Sequence, residues 1–147
     1  MRSGYAIVER LMSTFPQRTV EGEIVPHDCA ECSMIRKQLA GASWQEIPSE
    51  FMRENPDVLP LLSREAYVAY LPAWLRQGVL DPNGEVAGML LVHLRSSPRV
   101  ARFSSEQMAT IIGVAKFIAE NNIFGPEDPV NGQSVAEIER LWSAVTA

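Results

Sequence analysis

The chain has 147 residues, 46% of them hydrophobic and 21% charged, the composition of one ordinary globular domain and not of a disordered segment. A chain of this length buries roughly 68–70% of the surface its unfolded form exposes, so it needs neither a disulfide nor a metal to hold a core. Thirteen Lys and Arg against eighteen Asp and Glu leave a net charge of −5 with no basic stripe, which argues against nucleic acid as a partner.

At the N-terminus, Glu9 and Arg10 break the apolar run Ala6-Ile7-Val8, so no export signal is expected. The longest apolar stretch, Met89 to Val92 with Ala87 and Leu94 nearby, is far short of the roughly 20 residues that cross a bilayer. These features predict a cytoplasmic protein with no membrane partner. In that reducing setting two cysteines are expected to be free thiols, metal ligands or a redox couple in preference to a structural disulfide.

In chain order, Ile7, Val8, Leu11, Met12 and Phe15 recur at helical spacing, and Pro16 ends a helix over about residues 4–14. Gln17 to Pro26 shows no helical period and reads as a loop, with Glu23-Ile24-Val25 as a short extended piece. A second helix is expected to begin at Asp28, an N-cap with Glu31 returning the capping-box bond, and to run through Ile35 and Leu39 to Gly41. Trp44 to Pro48 reads as a connection in which Trp44 covers an edge of the core, and Ser49-Glu50 opens a short helix ending before Pro56.

Ser63 caps the next helix, whose stripe of Tyr67, Tyr70, Leu71, Trp74 and Leu75 is interrupted by Pro72, predicting a kink or a restart there. Asp81-Pro82-Asn83-Gly84 is a turn, and the nearly continuous apolar run from Val86 to Leu94 reads as a buried helix. Ser104 and Gln107 form a capping box for a helix ending near Asn121, with Phe103 placed to staple onto Met108. A last helix is expected to start at Ser134, with Glu137 as its box partner, and to bury Ile138, Leu141, Trp142 and Val145. The sum is a single all-α domain of about five to seven helices, loop-rich ahead of the second one.

One cluster carries chemistry. His27, Cys29 and Cys32 place both cysteines and one of two histidines within Pro26-His27-Asp28-Cys29-Ala30-Glu31-Cys32. As zinc ligands, Cys29 and Cys32 share a helical face, His27 folds over the helix start, and His93, Asp28, Glu31 or water supplies the fourth position. As a redox couple, Cys29 gains thiolate stabilisation from the helix N-terminus, opposed by Asp28 and Glu31, with Cys32 resolving and His27 or Glu31 moving protons. The plain alternative is that the sulfurs are small apolar groups packed at a helix start, and that His93 is a core histidine bonded to a backbone carbonyl.

The chain also resembles a family of small bacterial domains of unknown function. The resemblance rests on His27-Asp28-Cys29-Ala30-Glu31-Cys32, on Trp44-Gln45-Glu46-Ile47-Pro48, on Leu61 to Tyr67 with Tyr70-Leu71-Pro72-Ala73-Trp74-Leu75, and on Arg102-Phe103-Ser104 before Glu106-Gln107. It implies a shared fold over about residues 5–120 and no particular activity. Ser63, Ser104 and Ser134 lack a His-acid pair to activate them, and there is no Gly-rich phosphate loop. The sequence therefore leads to a non-enzymatic domain that binds a macromolecular partner, a protein being one possibility, with a candidate structural zinc at His27, Cys29 and Cys32. A thiol-disulfide oxidoreductase using Cys29 and Cys32 is the alternative.

Overall fold

The computed structural model describes residues 4–96 and 103–143. Among them are seven α-helices, as the sequence predicts, in one helical unit: α1 (Gly4–Thr14), α2 (Ala30–Leu39), α3 (Ser49–Glu54), α4 (Arg64–Leu80), α5 (Glu85–Ser96), α6 (Ser105–Asn121) and α7 (Pro129–Ser143). Two 3-10 turns, Trp44–Glu46 and Leu59–Leu61, flank α3. The expected extended piece at Glu23-Ile24-Val25 is irregular loop, so the described residues contain no strand. Val145 lies outside the described residues.

Helix α4 is the centre. Tyr67, Tyr70, Leu71, Trp74, Leu75, Gln77 and Val79 bury side chains around most of its circumference, as a helix largely enclosed by others must, with Arg64 and Leu80 exposed at its two ends. Around it lie α1, α3, α5, α6 and the Trp44–Glu46 turn. Pro72 sits within one uninterrupted helix, with no restart; the surrounding core holds the chain in place although the Val68 carbonyl has lost its helical donor. Gly78 is a close approach: a Cβ there would lie 2.7 Å from Leu90 Cδ1 and 3.0 Å from Ile118 Cδ1, so the missing side chain lets α5 and α6 close on α4.

Local signals account for most helix starts. Ser63 Oγ accepts from the Ala66 N–H at 3.1 Å. Ser104 Oγ accepts from Gln107 N at 3.1 Å while Ser104 N donates to Gln107 Oε1 at 2.9 Å, closing the expected box. Gln107 Nε2 then donates to Thr14 O at 3.3 Å and ties α6 to the end of α1.

The last helix corrects the reading. It begins five residues before Ser134, at Pro129, where Asp128 Oδ2 accepts from Asn131 N at 3.0 Å and proline occupies the first helical position. Ser134 is buried inside the helix and accepts from Arg95 Nη1 at 3.3 Å. Trp44 also lies deeper than expected. It is fully enclosed, not at an edge, and its Nε1 donates to Phe15 O at 3.3 Å.

At the Trp44–Glu46 turn the Ser43 N–H donates to Glu46 Oε1 at 2.8 Å. This backbone bond, with the Ser43 hydroxyl second, holds the Glu46 carboxyl below the usual carboxylate range. A lowered native value means stability present at and above the unfolded value and lost as pH falls through the native one. Thermal melting followed by circular dichroism should therefore show a steeper acid-side fall for the wild type than for Glu46→Gln.

Candidate functional site

The site is built at the start of α2 by the loop that leads into it. Ile24 and Val25 are buried, and Ile24 O accepts from Ser63 N at 2.8 Å, anchoring the loop to the start of α4. From α2, Arg36 reaches back along the helix. Its Nη2 donates to Val25 O at 2.8 Å and also to His27 O, so one guanidinium clamps the loop against the helix that follows it.

Held in this way, Cys29 takes an extended backbone, φ −140° and ψ 167°, and becomes the N-cap of α2. Its Sγ accepts from Cys32 N at 3.1 Å, and Ser33 N donates to Cys29 O at 3.0 Å as the first helical bond. The expected cap, Asp28, is displaced by one position. Sulfur takes the acceptor role, and Glu31 falls at the second helical residue, not the third, where it makes no box bond.

Cys29 and Cys32 are joined as a disulfide, with Cα atoms 5.1 Å apart. The two sulfurs have opposite environments: Cys29 is exposed beside exposed His27, Asp28 and Glu31, whereas Cys32 is enclosed with Ile35 and Leu39. A nucleophile arriving from solvent therefore meets Cys29 first, and the leaving sulfur is the buried Cys32. On reduction, the α2 N-terminus and the Cys32 N–H favour negative charge on the Cys29 sulfur, against the carboxylates of Asp28 and Glu31.

His93 stands apart from this cluster in its contacts. Half-buried on α5, its Nε2 shares a hydrogen bond of 2.7 Å with the Tyr67 hydroxyl, and the two rings lie 5.4 Å apart. One partner of this histidine is therefore a side-chain hydroxyl. Among the described residues no group of three or more His, Cys, Asp or Glu is gathered to hold a metal ion. Zinc at His27, Cys29 and Cys32 would need both sulfurs as thiolates, so in the disulfide form the cluster does not fit it.

Arg36 and Ser63 are contributors to the site that sequence reading passed over. Arg36 lies seven residues after Cys29, two turns along the same helical face, and that spacing was the available signal. Two surface grooves, of about 600 and 620 Å³, lie elsewhere, beside α1, α6 and α7 and across the Lys116–Glu139 ion pair. They lack the cysteines and histidines that carry chemistry here. No family model, curated protein or solved structure matches the chain.

Proposed function

We propose that the protein is a thiol-disulfide exchange protein in which Cys29 is the attacking sulfur and Cys32 the resolving one. The observation that carries this reading is the split exposure of a joined Cys-x-x-Cys pair, with Cys29 open to solvent at a helix N-cap and Cys32 enclosed one turn on. In the dithiol form, the Cys29 thiolate attacks a partner's disulfide, forming a mixed disulfide and expelling one partner thiolate. Cys32, its proton lost to solvent or to the departing thiolate, then attacks Cys29 Sγ and expels the second. Two electrons pass to the partner, the Cys29–Cys32 bond forms, and a second dithiol restores the starting state.

Mixing reduced protein with 2-hydroxyethyl disulfide and quenching with iodoacetamide tests this. The expected result is release of free thiol together with loss of iodoacetamide labelling at both cysteines when the quench is made in denaturant; before the reaction, the folded dithiol should be alkylated at Cys29 and protected at Cys32. Elemental analysis of protein purified without added metal or chelator separates the zinc reading. Stoichiometric zinc bound through His27, Cys29 and Cys32, with His93 or solvent fourth, would displace the exchange reading.

A second reading, a domain that acts only by binding another protein, is favoured by one feature. Ile123 and Phe124 are 82% and 70% exposed, and Ile123 N donates to Asn83 Oδ1 at 2.6 Å, which brings them to the turn that follows exposed Leu80. A reduced protein inert toward every disulfide would leave this reading in place of the first.

A further inference from the structure

Where α4 gives way to α5, beside α3, the fold encloses a small pocket of about 210 Å³ lined by Arg53, Gln77, Asp81, Gly84, Glu85 and Val86. That is room for about seven water molecules at about 30 Å³ each, below the roughly 300–1,000 Å³ of drug-sized sites and enough for one small metabolite. Gln77 is 5% exposed, and its carboxamide has no hydrogen-bond partner among the described residues. A polar group buried without a partner is costly, so this amide calls for one from outside the chain. Trp74 Nε1 is the buried side-chain polar atom with neither partner nor exposure; the Gln77 carboxamide keeps a little exposure, and the pocket that it lines is where.

The fold sets charges of both signs around this amide. On α3, Met52 is buried and the Phe51 ring meets Trp74 edge-on at 6.2 Å, which holds exposed Arg53 at the pocket. At the turn after α4, Asp81 N donates to Gln77 O at 3.0 Å and Gly84 N to Asp81 O at 3.0 Å, which places Asp81 and Glu85 on the same pocket. A Cβ on Gly84 would collide with the Asp81 carboxylate, so glycine leaves that carboxylate where it is. The ion pairs among the described residues, Lys116–Glu139 and Arg140–Glu137, involve none of these groups. One guanidinium and two carboxylates thus line one small space without closing on each other. Of the other charges nearby, Arg76 lies over the Trp44 ring at 5.2 Å, and exposed Glu50, Glu54 and Asp57 stand outside the lining.

We propose that this pocket binds a free neutral α-amino acid no larger than leucine, with its ammonium group on Asp81 and Glu85 and its carboxylate on Arg53. Unpaired charges of both signs around one space are complementary to a ligand that carries both; a simple cation would meet Arg53, and a simple anion would meet the two carboxylates. The Gln77 carboxamide can accept from the ammonium group or donate to the carboxylate, and Val86 offers an apolar wall to the side chain. The pocket shares no residue with Cys29 and Cys32, so it stands or falls apart from the exchange reading.

Amide NMR of the isotope-labelled full chain tests this with glycine, L-alanine, L-valine and L-leucine. The carboxamide and N-acetyl forms of whichever binds most tightly serve as controls, each keeping one of the two charges. Saturable shifts of the Gln77 side-chain N–H pair and of the Gly84 and Glu85 amides are expected, with a Kd of about 1 mM. Each single-charge control should bind about tenfold more weakly. Arg53→Gln should weaken the amino acid about tenfold and leave its carboxamide form unchanged, whereas Glu85→Gln should weaken both. Both positions are exposed, so neither variant should unfold. No saturable shift at these groups with any of the four amino acids at about 20 mM, well above the expected Kd, would overturn the proposal. So would a single-charge control that binds as tightly as its parent, because the pocket would then read one charge and not the pair.

Discussion

Cys29→Ser is expected to abolish electron transfer to any disulfide, whereas Cys32→Ser should permit one attack and then stop. The chain has two cysteines, so once Cys29 is lost the remaining sulfur is the one enclosed with Ile35 and Leu39, out of reach of a substrate. With Cys32 lost, the exposed sulfur still attacks, and no second sulfur lies near enough to release the mixed disulfide. Intact-protein mass spectrometry after mixing with 2-hydroxyethyl disulfide checks both at once: no adduct for Cys29→Ser and a stable single adduct for Cys32→Ser. An adduct on Cys29→Ser as fast as on wild type would reverse the roles assigned here. Because the bond closes a very short loop, its entropic contribution to stability is small, about 2 kcal/mol. Neither variant should unfold.

Trp142→Ala should be among the most damaging single changes to the fold, costing about 3–5 kcal/mol against a total stability of about 5–15 kcal/mol for a domain of ordinary stability. Trp142 is fully enclosed near the end of α7, its ring centroid is 5.9 Å from that of Phe103, and its Nε1 donates to Leu94 O at 2.7 Å. Truncation leaves a cavity the size of an indole where α5 meets α7 and removes that donor. Trp142→Phe keeps most of the volume and forfeits the hydrogen bond, so it should lose less. Urea unfolding midpoints at neutral pH rank the two; an alanine variant as stable as wild type would mean that α7 contributes little to the core.

The helices most legible in the sequence are those whose start and face both come from local residues. Residues 4–14 are marked by apolar spacing and Pro16, and α6 by the Ser104–Gln107 box, and the structure places both as expected. Two helices start away from the stronger-looking cap in their sequence. Asp28 outranks cysteine in cap preference, yet sulfur at position 29 accepts the Cys32 N–H; Ser134 with Glu137 imitates a box, yet Asp128 before Pro129 begins the helix earlier.

Of the candidate site, the sequence displays the two sulfurs and their spacing. It does not display their opposite exposure, which depends on how α2 lies against the core. Nor does it display the Arg36 clamp or the Tyr67–His93 bond, because contacts spanning 11 and 26 positions leave no period in the residues between. Local patterns report local bonds, and the chemistry of this site is set by bonds that are not local.

The enclosure of α4 has a consequence for how the molecule opens. The middle turns of a largely enclosed helix expose their amides only when everything around them comes apart, so the amides of the buried run from Ala69 to Leu75 should exchange with solvent deuterons at the rate set by global unfolding. Helix α2 differs. Among the described residues its backbone comes close to the other helices at few points, and it is held by the side chains of Cys32, Ile35 and Leu39 and by the Tyr70 hydroxyl, which donates to Leu39 O at 2.9 Å. Its amides belong to a smaller cooperative unit that opens more often than the whole. The bond between Cys29 and Cys32 can thus be made or broken by a local adjustment of the α2 start that leaves the bundle around α4 undisturbed and Cys32 covered.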